Sequence, residues 1–106
     1  MALELKQDTF KSEIEDFDGA AIVDFWAPWC GPCRMMGPVL DALTTKLAGK
    51  VKIAKVNVDD CPELAAKFSV SSIPMIVFFK AGKSVHTSVG VKQEAALEAE
   101  ITQHLL

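Results

Sequence analysis

The hydrophobic residues of this chain fall into blocks whose spacing alternates between that of strands and that of helices. Two runs, 20–26 and 75–80, are apolar at almost every position, which is typical of strands covered on both faces of a sheet. By contrast, Val39, Leu40 and Leu43 form a stripe at helical spacing. The pattern therefore predicts helices that alternate with buried strands.

Four helices are predicted. The first is short, is capped by Asp8-Thr9 and ends at Asp16, and the second runs from the Pro28–Pro32 loop to about Lys46. The third and fourth span Pro62–Phe68 and Lys92–Leu106. The predicted strands are Ala20–Trp26, Val51–Val58, Met75–Lys80 and Ser84–Val89, the last two forming a hairpin. This order predicts an α/β fold with a mixed sheet and helices on both of its faces. A length of 106 residues suits a single domain, 1–106.

Composition and charge exclude several classes of function. The net charge is −3 and no basic stripe is present, so we expect no binding to nucleic acid. The longest clean apolar runs, such as Met75–Phe79, are far too short to span a membrane. The N-terminal residues are charged early and carry no secretory h-region. We therefore expect a cytoplasmic monomer that does not associate with membranes.

Three cysteines in such a chain favour redox or metal chemistry over a disulfide scaffold. Cys30 and Cys33 are three residues apart where a strand gives way to a helix, close enough for a disulfide. The positive end of the helix favours a thiolate at Cys30, and Arg34 adds a positive charge. We expect Cys30 to be the exposed nucleophile and Cys33 the residue that displaces the reduced product.

Half of a zinc site is the alternative interpretation of this pair. Zinc requires about four ligands, and Cys61, His86 and His104 could complete that number. These three residues lie far beyond Cys33 in the chain and form no second close pair. The spacing therefore favours redox chemistry, with no metal. We expect Cys61 to be a slow, non-catalytic thiol because acidic residues surround it, and the two histidines to be solvated or capping residues.

The residues around the pair are specific to one family. The stretch from Val23 to Arg34, which contains Trp29-Cys30-Gly31-Pro32-Cys33, resembles the active-site signature of the thioredoxin family at almost every position. Matches continue in order along the whole chain. They are Pro38, Lys55, Asp59-Asp60, the 62–65 stretch, Ile73-Pro74, Gly82 and Gly90.

This resemblance implies a thioredoxin fold with a central five-stranded mixed sheet. It also implies a redox-active Cys30–Cys33 disulfide, no bound cofactor, and electron flow from a thioredoxin reductase to disulfides in client proteins. Two departures flank the expected client groove: Ser71-Ser72 replaces a more usual Arg-Gly pair, and Met75 replaces a usual threonine. The chain also lacks tyrosine. The departures concern client preference rather than the chemistry.

Asp24 is an acidic residue within an otherwise apolar strand, so its burial is nearly forced. Two interpretations stay open and are compatible. Asp24 pairs with Lys55, which lies on the neighbouring strand on the same face as Val51 and Ile53, or it accepts the proton of Cys33, as the resemblance implies. Asp24 and Lys55 therefore join the two cysteines as candidate catalytic residues.

A client groove is the last feature that the resemblance implies. Pro74 matches the position of a cis proline that lies opposite the cysteine pair and presents the Ile73 backbone to an extended peptide. Gly90 leaves room for client backbone or is simply a loop glycine. The candidate client-binding residues are Trp29, Gly31, Pro32, Ile73, Pro74, Val89 and Gly90.

Two other functions remain as alternatives. One is a thiol oxidase or isomerase on the same fold, but such proteins often carry a histidine between the cysteines, whereas this chain has Gly31-Pro32. The other is a non-catalytic subunit that uses the fold for binding. A role of that kind would survive the loss of both cysteines.

Overall fold

The computed structural model describes residues 1–106 and contains five strands and three α-helices. The strands are β1 Leu3–Leu5, β2 Ala20–Trp26, β3 Val51–Asn57, β4 Met75–Lys80 and β5 Lys83–Val89. The helices are α1 Gly31–Lys46, α2 Pro62–Lys67 and α3 Glu94–Leu105, and a short π-helical turn spans Lys11–Glu15. The sheet order is β1-β3-β2-β4-β5. β3 is parallel to β1 and β2, and β4 is antiparallel to β2 and β5, so the predicted mixed sheet is confirmed.

Residues of the central strands alternate between two cores, one on each face of the sheet. In β2, Val23 and Phe25 point into a core shared with the π-helical turn and α2, whereas Ile22 points into a core shared with α1 and α3. The same alternation holds in β4, where Val77 and Phe78 belong to opposite cores. Because both faces are covered, β2 and β4 carry almost no polar residue. No helix is both long and apolar enough to cross a membrane.

The N-terminal segment differs from the prediction. β1 is only three residues long and pairs with one edge of β3, so its hydrophobic pattern was too short to be recognised. The predicted Asp8-Thr9 cap is wrong: the π-helical turn has Phe10 at its N-cap with no side-chain hydrogen bond. The Thr9 hydroxyl instead accepts the N–H of Lys6, at 2.9 Å, and closes the preceding turn.

The turn of the β4–β5 hairpin packs directly against the backbone of the π-helical turn. Ala81 and Gly82 both have positive φ, 51° and 80°. A Cβ on Gly82 would lie 2.1 Å from the carbonyl oxygen of Glu15. Glycine is therefore required at position 82 both by its backbone conformation and by the close approach of another backbone segment.

Gly82→Ala is expected to lower the free energy of unfolding by about 2–4 kcal/mol, because positive φ and a backbone clash act together. Gly49→Ala is the matched control: φ is 82° there, but nothing lies within 4 Å of its Cβ position, so a loss of only about 1 kcal/mol is expected. Denaturant melts of the two variants measure the difference. Equal losses would show that the contact with Glu15 does not constrain the hairpin.

Candidate active site

The cysteine pair lies where β2 passes into α1. Cys30 is the N-cap of α1, and Pro32 lies in the first turn. Proline suits this position because the first amides of a helix have no partner within it. The Cys30 sulfur accepts the backbone N–H of Cys33 at 3.2 Å, so an amide of the first helical turn points at the first sulfur. This arrangement stabilises negative charge on Cys30.

Cys30 and Cys33 form a disulfide, and their Cα atoms are 5.2 Å apart. Each cysteine is only 5% exposed. The expectation that exposure would distinguish Cys30 from Cys33 is therefore wrong for the oxidised protein, because Trp26, Val58 and Ile73 pack around both. What distinguishes the two sulfurs is the N-cap position and the amide directed at Cys30. The Arg34 guanidinium donates to the Pro28 carbonyl oxygen at 3.1 Å.

Asp24 is buried in β2, on the sheet face that packs against α1 and α3. Its neighbour Ile22 lies in the core on that face, and the Asp24 side chain is 2% exposed. One carboxylate oxygen, Oδ1, has no hydrogen-bond partner. Burial raises the pKa of Asp24 from its ordinary value of 3.8 to about 7, and the charge of Lys55 opposes part of that rise. The carboxyl group therefore exchanges its proton near neutral pH.

Lys55 is in register with Asp24 across the β2–β3 pair, but the two side chains form no ion pair. Of the two interpretations left open by the sequence, the Asp24–Lys55 ion pair is therefore not observed. The Lys55 ammonium lies 3.9 Å from Oε1 of Glu4 and 5.1 Å from the centroid of the Trp26 ring. Its influence on Asp24 acts through the field of its charge rather than through contact.

A cavity joins these groups. It has a volume of about 360 Å³, and Asp24, Lys55 and Cys33 lie in its wall together with Trp26. The cavity has both polar and apolar lining residues, and its volume far exceeds the roughly 10–15 Å³ that a single water needs. The buried carboxyl group and the second cysteine therefore lie in the wall of one cavity that is large enough for water.

The loop before β4 lies opposite the disulfide. The Ile73-Pro74 peptide bond is cis, as the resemblance implied, and the Ile73 carbonyl oxygen is 3.9 Å from the Cys30 sulfur. The Gly90 amide donates to the Pro74 carbonyl oxygen at 2.8 Å, and Val89 is in register with Met75. The antiparallel β4–β5 pair thus brings four of the predicted groove residues, Ile73, Pro74, Val89 and Gly90, to one end of the sheet. Gly31 and Pro32 lie in the first turn of α1.

Trp29 projects from the loop between β2 and α1 and is 69% exposed. Its indole N–H donates to the Asp59 carboxylate at 3.0 Å, so the exposed ring is held in one orientation. Trp29 and Ile73 line a mainly apolar groove of about 420 Å³ together with Val58, Pro62 and Val70. The groove reaches the disulfide through Ile73, whose carbonyl oxygen lies beside the Cys30 sulfur.

Gly90 has φ of 92°, and a Cβ there would meet nothing within 4 Å. The backbone conformation alone accounts for glycine at this position. The space beside Gly90 is open, so its predicted role of leaving room for client backbone stays a prediction.

Cys61 caps α2 but belongs to the hydrophobic core on that side of the sheet. Burial is the main cause that raises the pKa of its thiol, and the charge of Lys6 opposes it. The expected role of the surrounding acidic residues is secondary, although Asp60 and Glu4 act in the same direction. A buried thiol with a raised pKa has little thiolate and reacts slowly.

The two histidines are neither freely solvated nor simple caps. The rings of His86 and His104 stack with their centroids 3.7 Å apart, and His86 Nε2 lies 3.1 Å from Oε1 of Glu100. They are remote in the fold from Cys61, which lies in the core on the opposite face. No group of three or more histidine, cysteine or acidic side chains is placed to hold a metal ion, so the structure does not bring the zinc alternative's ligands together.

Sequence reasoning missed two residues of this region, Glu4 and Asp59. Glu4 escaped notice because β1 itself was too short to be recognised. Asp59 was considered only as a charge near Cys61. A further signal for Asp59 was its match to the family, named above together with Asp60, although that match gave it no contact with Trp29.

Comparison with known proteins agrees with this geometry. The family model named Thioredoxin matches residues 1–103. The chain is 42% identical to thioredoxin 1 of Nostoc sp. over 98% of this chain and 97% of that protein. It is 46% identical to thioredoxin of Haemophilus influenzae, over 97% of this chain and 96% of that protein. Thioredoxin of Bacillus subtilis is also 46% identical, over 86% of this chain and 88% of that protein.

Thioredoxins are disulfide reductases that carry no bound cofactor and use a redox-active disulfide of their own. The bridged pair at the N-terminus of α1 supplies that group in this chain. The chain therefore belongs to the thioredoxin family and is a thiol–disulfide oxidoreductase that works through Cys30 and Cys33.

Proposed function

We propose that this protein reduces disulfides in client proteins by a cycle in which Cys30 attacks and Cys33 resolves. The observation that carries the assignment of roles is the position of Cys30 as N-cap of α1, with the N–H of Cys33 directed at its sulfur. Only the first sulfur receives this stabilisation. The helix N-terminus and the directed amide favour the thiolate form of Cys30 in the reduced protein.

The cycle transfers two electrons to the client. The Cys30 thiolate attacks one sulfur of the client disulfide, which forms a mixed disulfide and releases the other client sulfur as a thiolate. Cys33 then loses its proton, and its thiolate attacks the Cys30 sulfur. The Cys30–Cys33 disulfide forms, and the second client sulfur leaves as a thiolate. A thioredoxin reductase returns the pair to the dithiol form.

Asp24 accepts the proton of Cys33 in the second half of this cycle. Three observations support this role: the shared cavity, the unpartnered Oδ1 and a pKa of about 7. A general base works best when its pKa lies near the operating pH. A water in the cavity relays the proton, and the Asp24 carboxyl group then returns it to the departing client thiolate.

The client lies as an extended chain in the groove between Trp29 and the Ile73-Pro74 loop. Support comes from the apolar walls of that groove and from the Ile73 carbonyl beside the Cys30 sulfur, a geometry suited to backbone pairing. The reducing role and the free thiol of Cys61 favour a cytoplasmic location, where thiols are kept reduced. The protein acts as a monomer, since the chain holds both cysteines and the groove.

Reduction of insulin disulfides, with a thioredoxin reductase and its electron donor supplying electrons, tests the overall activity. We expect turnover that depends on both cysteines, because each sulfur makes one bond of the cycle. Turbidity of the released insulin chains measures the rate, and Cys61→Ala is the control, expected to remain within about twofold of the parent. Activity that persisted without Cys30 and Cys33 would favour the alternative of a binding module.

Cys33→Ser is expected to accumulate a mixed disulfide with the client, because no second thiol remains to displace it. Cys30→Ser is expected to form no such complex. Non-reducing electrophoresis and mass spectrometry with a model disulfide peptide identify the linked cysteine. Trapping by Cys30→Ser would reverse the two roles.

Asp24→Asn is expected to stabilise the fold at neutral pH. Because the folded pKa lies above the unfolded one, the cost of ionising Asp24 is absent below about pH 4, grows as pH rises and is complete above about pH 7. Removing the charge should therefore raise the free energy of unfolding by roughly 2–4 kcal/mol at pH 7 and by little at pH 4. Denaturant melts at the two pH values measure the gain.

The same variant should resolve mixed disulfides at least about tenfold more slowly at pH 7, since the base is lost. The rate is measured after a mixed disulfide with a model peptide is formed at acid pH and the pH is then raised. A variant that is less stable at pH 7 and resolves at the parent rate would contradict the role of Asp24 as proton acceptor.

A further inference from the structure

Three charged residues lie in one row across the edge of the sheet. Glu4 of β1 is in register with Lys55 of β3, and Lys55 is in register with Asp24 of β2. Adjacent strands lie about 4.8 Å apart, so the backbones of Glu4 and Asp24 are about 10 Å apart with Lys55 between them. One lysine thus lies between two acidic residues on the flanking strands.

Of these two carboxylates, Glu4 is the one that pairs with Lys55. The Lys55 ammonium lies 3.9 Å from Oε1 of Glu4 and forms no contact with Asp24, whose Oδ1 has no partner. Glu4 and Lys55 are each about one-third exposed at the side chain, whereas Asp24 is almost fully buried. The Glu4–Lys55 pair is therefore closer to solvent than Asp24, and the buried carboxylate has no ion-pair partner.

We propose that Glu4 is a positioning residue that keeps the Lys55 ammonium away from Asp24 and thereby sets the pH range in which client disulfides are released. This inference rests on the proposed role of Asp24 as the proton acceptor for Cys33. Glu4 acts in two ways. It draws the lysine toward the outer edge of the sheet, and its own negative charge disfavours a second negative charge at Asp24.

The other charged groups near the cavity do not substitute for Glu4. From α1, Arg34 and Asp41 line the same cavity with opposite charges, and Arg34 is engaged with the Pro28 carbonyl oxygen. Met1, which carries the α-ammonium group, lines the cavity as well, and its charge is opposite in sign to that of Glu4. From β4, the residue in register with Asp24 is the apolar Ile76. Glu4 and Lys55 are also the two residues whose charges perturb the pKa of Asp24, Lys55 downward and Glu4 upward.

Glu4→Gln is expected to lower the titration midpoint of Asp24 by about half a pH unit, because the repulsion is removed and Lys55 is released. The midpoint is read from the carboxyl carbon resonance of Asp24 by NMR in the oxidised protein, in which Cys30 and Cys33 do not titrate. In a Lys55→Gln background the shift should be smaller, since only the direct repulsion is then lost.

Glu13→Gln is the matched control. Glu13 pairs with Lys52, also on β3, at 2.9 Å, so the variant changes the net charge equally and breaks an ion pair on the same strand. It should leave the Asp24 midpoint unchanged. An unchanged midpoint in Glu4→Gln, or an equal shift in Glu13→Gln, would overturn the proposal.

Release of the client supplies the second readout. The pH at which mixed-disulfide resolution is half-maximal should fall in Glu4→Gln by the same amount as the Asp24 midpoint. A midpoint that moves while the resolution profile does not would refute the role of Glu4 in release. The Asp24→Asn variant then separates the two causes. If this variant also resolves the mixed disulfide at the parent rate, the proton-acceptor role of Asp24 is refuted. If this variant resolves it slowly, only the coupling between Glu4 and Asp24 is refuted.

Discussion

The covering of β2 on both faces is the constraint from which the rest of the structure follows. Residues 21–25 are all buried, and successive side chains enter two separate cores. A strand in this position is rigid and cannot slip, because a shift of one residue would exchange its two faces. Its carboxyl end therefore fixes the start of α1, and with it the position of Cys30. The same constraint leaves Asp24 without access to bulk water.

The order of strands assembles the site from distant parts of the chain. Because β4 runs antiparallel to β2, the start of β4 lies beside the end of β2, as the pairing of Phe25 with Met75 shows. The cis Ile73-Pro74 bond just before β4 is thereby placed against the disulfide. β5 returns antiparallel to β4, so its end brings Gly90 to the Pro74 carbonyl oxygen. Two reversals of strand direction, at β4 and again at β5, thus align three loops at one end of the sheet.

The elements that sequence reasoning predicted well are those with a full hydrophobic face. β2, β4, α1 and the chemistry of Cys30 and Cys33 follow from pattern and spacing, and the resemblance to thioredoxins added the cis proline. The strand β1 was not predicted, since its three residues carry too little periodicity to be recognised. The prediction of an Asp8-Thr9 cap was wrong for a different reason: the Thr9 hydroxyl accepts a hydrogen bond from the N–H of Lys6 in the preceding turn. Propensity cannot reveal such competition between two local partners.

Side-chain pairing was the least predictable feature of the site. Register and face indicated correctly that Lys55 is the residue of β3 beside Asp24, yet the pair does not form. A third residue decides the outcome, and it lies on β1, the element that the pattern did not reveal. The stacked rings of His86 and His104 are a second case, because they meet only after β5 and α3 pack together. Contacts between elements distant in sequence depend on tertiary packing rather than on local pattern.

The environment of Asp24 lowers the stability of the fold but keeps the carboxyl group basic enough for its proposed function. A direct ion pair with Lys55 would lower the pKa of Asp24 and favour folding at neutral pH, but it would also leave a carboxylate too weakly basic to take a proton from a thiol. An apolar residue in place of Asp24 would favour folding as well and would remove the base altogether. The observed structure does neither: the carboxyl group stays buried, and the lysine is held one strand away by Glu4. The destabilisation is therefore confined to one residue, at the point where the second cysteine must lose its proton.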